Sequence, residues 1–249
     1  MNNSTTASKP VIQIRGLRKS FGENYVLRDL DLDLQEGENL VVLGKSGSGK
    51  SVLIKCIIGL IVPDAGNIEV FGEEITDYSH DELDKMRLEV GFLFQSNALY
   101  DSMTVRENLE FPLRRHQRKL FKVNETELVL EALSNVGLAD TIDMMPSELS
   151  GGMRKRIALA RTLILKPKII LYDEPTTGLD PITAKEISSL MMDIQKKYKA
   201  SSIIISHDMN CVKITSNRIV LLIDGKGYIT GTYDELSKSN DPKIKQFFD

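Results

Sequence analysis

Gly44-Lys45-Ser46-Gly47-Ser48-Gly49-Lys50-Ser51 fits the pattern G-x-x-x-x-G-K-[ST]. A turn of this composition holds phosphate with its backbone. Its glycines adopt conformations closed to other residues, and the freed N–H groups converge on an anion. The helix that follows adds its positive end. In this pattern Lys50 reaches the β- and γ-phosphates and the Ser51 hydroxyl binds Mg²⁺.

A phosphate-bound cation needs a carboxylate partner, and Ile169-Ile170-Leu171-Tyr172-Asp173-Glu174 supplies two at the end of an apolar run. Asp173 is the candidate for Mg²⁺, directly or through water. Glu174 stands one residue further, where the strand gives way to a loop, and is the candidate general base for a water nucleophile. Gln95 follows the apolar Val90–Phe94, and His207 follows Ile203–Ser206. A neutral amide there can touch both metal and water, and an imidazole can hydrogen-bond the γ-phosphate and the water. Phe21 precedes Gly44 by 23 residues. It is the candidate for stacking on a base, with Tyr25 the competing choice.

Leu149-Ser150-Gly151-Gly152-Met153 forms a second glycine turn at a helix start, with a serine in the capping position. One chain with one metal centre has little use for two phosphate sites. Two chains arranged head to tail would use both, each nucleotide lying between the first turn of one copy and the Ser150 turn of the other.

These residues must be positioned by regular elements. Val11–Leu17 and Tyr25–Leu34 read as strands. In the second, Leu30, Leu32 and Leu34 alternate with Asp29, Asp31 and Asp33, so one face is covered and one wet, as in an antiparallel sheet. Leu40–Leu43, Ile169–Tyr172, Ile203–Ile205 and Ile219–Ile223 are continuous apolar runs separated by helical stretches, the pattern of a largely parallel α/β sheet. A helix is expected over Val52–Leu60. Between Ser96 and Lys166 helical periodicity takes over, at Val105–Leu109, Glu125–Leu133 and Gly152–Leu165. The organisation expected is a loose polar tail over 1–10, an α/β core over about 11–95 and 167–249, and an inserted helical subdomain over about 96–166. Lys166-Pro167-Lys168 closes the insertion, since proline disfavours helix at the residue before it.

The bulk numbers restrict function. A net charge of −3 over 249 residues argues against a mainly electrostatic nucleic-acid binder. Cys56 and Cys211 form no C-x-x-C pair and read as reduced and buried. No secretory signal is visible, and no apolar run approaches the roughly 20 residues needed to cross a bilayer. The basic run Arg114–Lys119 reads as a solvated face. His80 and His116 have no chemical context and read as surface residues.

Taken together, the motifs resemble the ATP-binding-cassette (ABC) ATPases over about Val11 to Phe248. The resemblance implies a P-loop NTPase fold with a RecA-like core, a small antiparallel β-subdomain and a helical subdomain. It implies ATP and Mg²⁺ as ligands and a homodimer with ATP between the copies. Phe21 then takes the adenine-stacking place, Gly44–Ser51 the Walker A loop, Gln95 the Q-loop and Leu149–Met153 the signature loop. Asp173 and Glu174 end Walker B, Thr177–Asp180 is the D-loop, and His207 is the switch histidine. Finer details look like the Mla-type phospholipid transporters and their plastid and actinobacterial relatives. They are Met153 with Arg154-Lys155-Arg156, Asn97–Val105 followed by Glu107-Asn108-Leu109, and Asp180-Pro181-Ile182-Thr183. That resemblance implies an integral membrane permease and a mammalian-cell-entry-domain lipid carrier as partners, with a STAS-domain regulator in some systems. It places the chain at the cytoplasmic face of an inner or plasma membrane, peripheral through the permease. Lys45 stands where proline is common. The C-terminal extension of some relatives is expected to be short or missing after Phe248. Two other readings stay open: an ABC importer for another substrate, such as an amino acid or a metal chelate, and a soluble ABC ATPase working on ribosomes or DNA.

Overall fold

The computed structural model describes residues 9–116 and 118–248, without the side chains of 116 and 118–124. Most of the expected tail, residues 1–8, and the side chains of His116, Arg118 and Lys119 lie outside what is described. The elements follow in the order β1 (Ile12–Phe21), β2 (Asn24–Leu34), β3 (Asn39–Leu43), α1 (Lys50–Ile57), β4 (Ala65–Val70), β5 (Glu73–Glu74), α2 (His80–Met86), β6 (Val90–Leu93), α3 (Val105–His116) and α4 (Arg118–Ser134). Then come α5 (Gly151–Leu163), β7 (Ile169–Asp173), α6 (Pro181–Tyr198), β8 (Ser201–Ile205), α7 (Met209–Thr215), β9 (Arg218–Ile223), β10 (Lys226–Gly231), α8 (Tyr233–Ser237) and α9 (Pro242–Phe248).

Two sheets form. The larger has the order β10-β9-β3-β8-β7-β6. Its strands from β9 to β6 run parallel and β10 is antiparallel to β9. Every residue of β3, β7 and β8 is buried, one face against the smaller sheet and α1 and the other against α5, α6 and α7, and this is why Leu40–Leu43, Ile169–Tyr172 and Ile203–Ile205 are apolar runs. The smaller sheet, β2-β1-β4-β5, is antiparallel. Ile12, Ile14 and Leu17 pair with Leu34, Leu32 and Leu30, and these six side chains are buried.

β1 runs further than the expected Val11–Leu17, since Lys19, Ser20 and Phe21 pair with Leu27, Tyr25 and Asn24. The alternation in β2 holds from Leu30 to Leu34 and breaks at Asp29, which takes φ 54° where the register slips. α1 starts and stops earlier than Val52–Leu60. It ends because Gly59 turns left-handed at φ 69°, with the Gly59 N–H on Cys56 O and the Leu60 N–H on Lys55 O, a glycine stop.

Among the described residues no strand lies between β6 and β7. There α3, α4 and α5 share an apolar cluster that includes Val105, Leu109, Leu113, Val129, Leu133 and Ile157. α5 also buries Ala158, Leu159 and Leu163 against the larger sheet. It is therefore a rib common to both layers. Cys56 and Cys211 are free and buried, and burial raises both thiols, Cys56 to about 11. Among the described residues no helix is long and apolar enough to cross a membrane.

Candidate active site

The parallel strands end on one side of the sheet. Asp173 at the end of β7 is in register with Ile205 at the end of β8, and Leu93 of β6 with Tyr172. In open α/β sheets ligands bind outside the carboxyl ends of the strands. A cavity of about 660 Å³ lies there, lined by the Gly44–Ser51 loop together with Gln95, Glu174 and His207. Residues separated by more than 160 positions in sequence thus face one space because four neighbouring strands deliver them.

The loop is shaped by backbone that other residues would not tolerate. Gly47 and Gly49 take φ 78° and 102°. A Cβ on Gly44 would stand 2.6 Å from the Leu222 carbonyl, and one on Gly49 2.9 Å from that of Val26. Lys50 is buried and its Nζ donates to the carbonyls of Gly44 (2.7 Å) and Lys45 (2.9 Å). Burial lowers its ammonium below the ordinary lysine value, with Glu174 and Asp173 opposing. The Ser48 hydroxyl is buried with no hydrogen-bond partner. A polyphosphate fits this cradle: the left-handed backbone at Gly47 and Gly49 wraps the loop around the space, and the Lys50 ammonium is folded onto it.

Beyond the loop the Ser51 hydroxyl donates to Asp173 Oδ1 (2.9 Å), joining the two residues expected at the metal. Among the described residues no three His, Cys, Asp or Glu side chains are grouped to hold a metal ion alone. Ser51 and Asp173 suit Mg²⁺, which takes one or two protein ligands and completes its shell with phosphate oxygens and water. Glu174 is nearly buried and holds φ 51°, a left-handed conformation that costs a non-glycine residue energy. Its Oε2 lies 2.7 Å from His207 Nδ1 and accepts from the Thr177 hydroxyl at 3.2 Å.

Three anchoring residues here were not foreseen. Lys155, in α5, is 1% exposed, and its Nζ donates to the Gln95 carbonyl at 2.9 Å. Burial pulls this ammonium down to about 8, while Asp173 opposes. Arg161, six residues further on, donates to the carbonyls of Asn97 (3.0 Å) and Ala98 (2.8 Å), which hold consecutive left-handed conformations at φ 65° and 51°. Asn108, buried in α3, accepts from the Tyr100 N–H at 2.8 Å and donates to the carbonyls of Tyr100, Met103 and Thr104. The segment after Gln95 is thereby tied to α3 and α5. The sequence signal for Lys155 was its spacing: Ala158 and Leu159, three and four residues on, share its helix face and are buried.

Three of the predicted features stand apart from the cavity. Ser150 caps α5 by accepting from the Met153 N–H at 3.2 Å, and Ser150 and Gly151 are exposed. Gly152 faces Thr183, whose Cγ2 would lie 2.7 Å from an added Cβ. Asp180 caps α6, accepting from the N–H groups of Ile182 and Thr183 and from the Thr183 hydroxyl, and these bonds hold its carboxyl below the usual range. None of Ser150, Gly151, Gly152 and Asp180 lines the cavity around Lys50. Phe21 is 52% exposed at the end of β1 and lines neither that cavity nor the adjoining one, whereas Tyr25 lines the second.

The sequence profile of the ABC transporter family matches residues 27–177, more than half of the chain. The chain belongs to this family. The "Probable ribonucleotide transport ATP-binding protein mkl" of Mycobacterium leprae is 41% identical over 237 residues, covering 95% of this chain and 68% of that protein. The methionine import ATP-binding protein MetN of Clostridium tetani is 38% identical over 216 residues, 87% of this chain and 67% of its own. The intermembrane phospholipid transport system ATP-binding protein MlaF of Haemophilus influenzae is 36% identical over 237 residues, 95% and 89% of the two chains. Among solved structures, a dimeric post-hydrolysis state of the ATP-binding cassette MJ0796 bound to ADP and Pi superposes with a TM-score of 0.81 at 32% identity. It covers 89% of this chain and 98% of that one. The fold is therefore that of the ABC cassettes, and the chain is an ATP-binding ABC ATPase domain.

Proposed function

We propose that this ABC ATPase drives lipid transport between membranes as a homodimer seated on an integral membrane permease at the cytoplasmic face. The observation that carries the reading is the near end-to-end match to MlaF, 95% of this chain against 89% of that protein. The signature loop with Met153 and the Asn97–Thr104 segment supports it. A mammalian-cell-entry-domain lipid carrier and a STAS-domain regulator are the partners this reading adds. The helical layer over about 96–166 is the part assigned to the permease, with Leu99 and the partly exposed Tyr100 at its contact.

The chemistry follows from the cavity. Lys50 exchanges the carbonyls of Gly44 and Lys45 for phosphate oxygens, and the loop N–H groups hold the rest of the polyphosphate. Ser51, Asp173 and Gln95 are the residues that would hold Mg²⁺, which would supply charge neutralisation for the polyphosphate. The Glu174 carboxylate takes the proton of the attacking water, while His207 and Thr177 hold its Oε2 in place and His207 faces the γ-phosphate. Ser150, Gly151 and Gly152 of one copy close the site of the other, with Asp180 fixing the turn beside them. Phe21 or Tyr25 takes the adenine.

The test is ATPase stimulation in lipid nanodiscs by the permease that co-purifies with this chain. Phospholipid in the disc should raise turnover, and the ATPase should load lipid onto an acceptor. Stimulation by methionine instead would favour the importer reading, which the similarity to MetN supports, and would overturn the lipid reading. Co-purification with ribosomes in place of a membrane protein would overturn both.

A further inference from the structure

A second cavity of about 580 Å³ adjoins the first, and the two share Lys45, Ser46, Gly47, Gln246 and Phe247 in their walls. Three of these belong to the phosphate loop. The other two belong to α9, almost 200 residues later. The second cavity continues to Tyr25, Arg28, Asp224 and Lys243. A nucleotide with its phosphates on the loop and its base toward Tyr25 must cross the junction between the loop and α9.

α9 is held firmly enough to act as a wall. Ile244 is 1% exposed, and the Phe248 ring meets Tyr233 edge-on with centroids 5.4 Å apart. Asp241 caps the helix start, accepting from the Lys243 N–H at 2.8 Å, and Tyr228 Oη donates to its other oxygen at 2.6 Å. These anchors leave Phe247 half-buried at the junction and Gln246 exposed beside it. Arg28, Lys45 and Lys243 face the second cavity against one carboxylate, Asp224, so its charge suits an anionic ligand.

We propose that α9 is a wall of the nucleotide site, with Phe247 packing on the nucleoside where it passes from the phosphate loop toward Tyr25. This rests on the reading of the Lys50 cavity as the phosphate site. Phe247 becomes an affinity determinant for the ribose and base, and contributes nothing to the bare phosphate chain.

Equilibrium binding to the full chain tests this, with MgATP and Mg-inorganic triphosphate as the two ligands. Phe247→Ala should weaken MgATP about tenfold, within the range of an aromatic stacking contact. Triphosphate binding should be unchanged, and Phe247→Tyr should restore MgATP. A change confined to ATP also separates this role from collapse of α9, which would disturb the loop and weaken both ligands. 8-Azido-ATP should label wild-type protein within Lys243–Phe248. Equal losses for both ligands, no loss for either, or photolabel only on other segments would overturn the role of α9. Wild-type protein that bound neither ligand would overturn the phosphate-site reading itself.

Discussion

Lys155→Met tests how far the buried ammonium in α5 stresses the fold. The lysine is 1% exposed, makes one hydrogen bond, to the Gln95 carbonyl, and is pulled from 10.5 to about 8 mainly by burial. The unfolded chain keeps the ordinary value, so between pH 8 and 10.5 it holds a proton the folded chain has released. Stability therefore rises with pH across that window, and below it the folded state carries the whole cost of a buried charge. A fall from 10.5 to about 8 at ~1.36 kcal/mol per pH unit is about 3 kcal/mol, most of which is recovered between pH 7 and pH 10. Methionine keeps the length of the stem and removes the charge. It also strips the Gln95 carbonyl of its donor, a loss of about 1–3 kcal/mol. At pH 7 the two effects nearly cancel. Urea unfolding of both proteins from pH 7 to 10, in chelator, reads the difference. Wild-type stability should climb by about 2–3 kcal/mol relative to Lys155→Met over that interval. A difference that stays flat with pH would refute the burial argument.

Glu174→Gln should reduce phosphate release by about 100-fold or more while ATP still binds, as expected when a general base is removed; sizing in MgATP should show a trapped dimer. Full turnover in that variant would disqualify Glu174. Ser150→Arg should leave nucleotide binding by the single chain intact and abolish hydrolysis, and normal hydrolysis would remove the basis for a site shared between two copies. Asn108→Ala should cost about 3 kcal/mol in thermal or urea unfolding, because the Tyr100 N–H and three carbonyls lose a buried partner. A cost under about 1 kcal/mol would show that water replaces the side chain.

How much of this was legible in the sequence depended on the range of the cause. β3, β7 and β8 were readable because burial on both faces imposes an unbroken apolar run. Their carboxyl ends were then the places to look for Asp173, Glu174 and His207. Boundaries were less readable, since Gly59 and Asp29 each end a pattern through one left-handed residue whose need for that conformation comes from the packed fold. Lys155 was obscured by its neighbours: Met153-Arg154-Lys155-Arg156 looks like a solvated turn, yet only one of the three cations points at the sheet. Phe247 carried no signal in the sequence, because tertiary packing of α9 brings it into the same cavity wall as Ser46 and leaves no local trace.

α5 connects the parts that the cavity alone leaves separate. Its first residue follows the Ser150 cap, its second turn holds the Gln95 carbonyl through Lys155, and its third holds Asn97 and Ala98 through Arg161. It packs at once against the sheet and against α3 and α4. A rotation of this helix that kept those bonds would carry Gln95 with it, and one that broke them would leave a buried ammonium and several carbonyls unpaired, which is costly. The Ser150 turn and the Gln95 segment are therefore constrained to move as a unit. In the proposed dimer, a contact of the exposed turn with the second copy would be joined to the wall of this chain's own cavity through one helix.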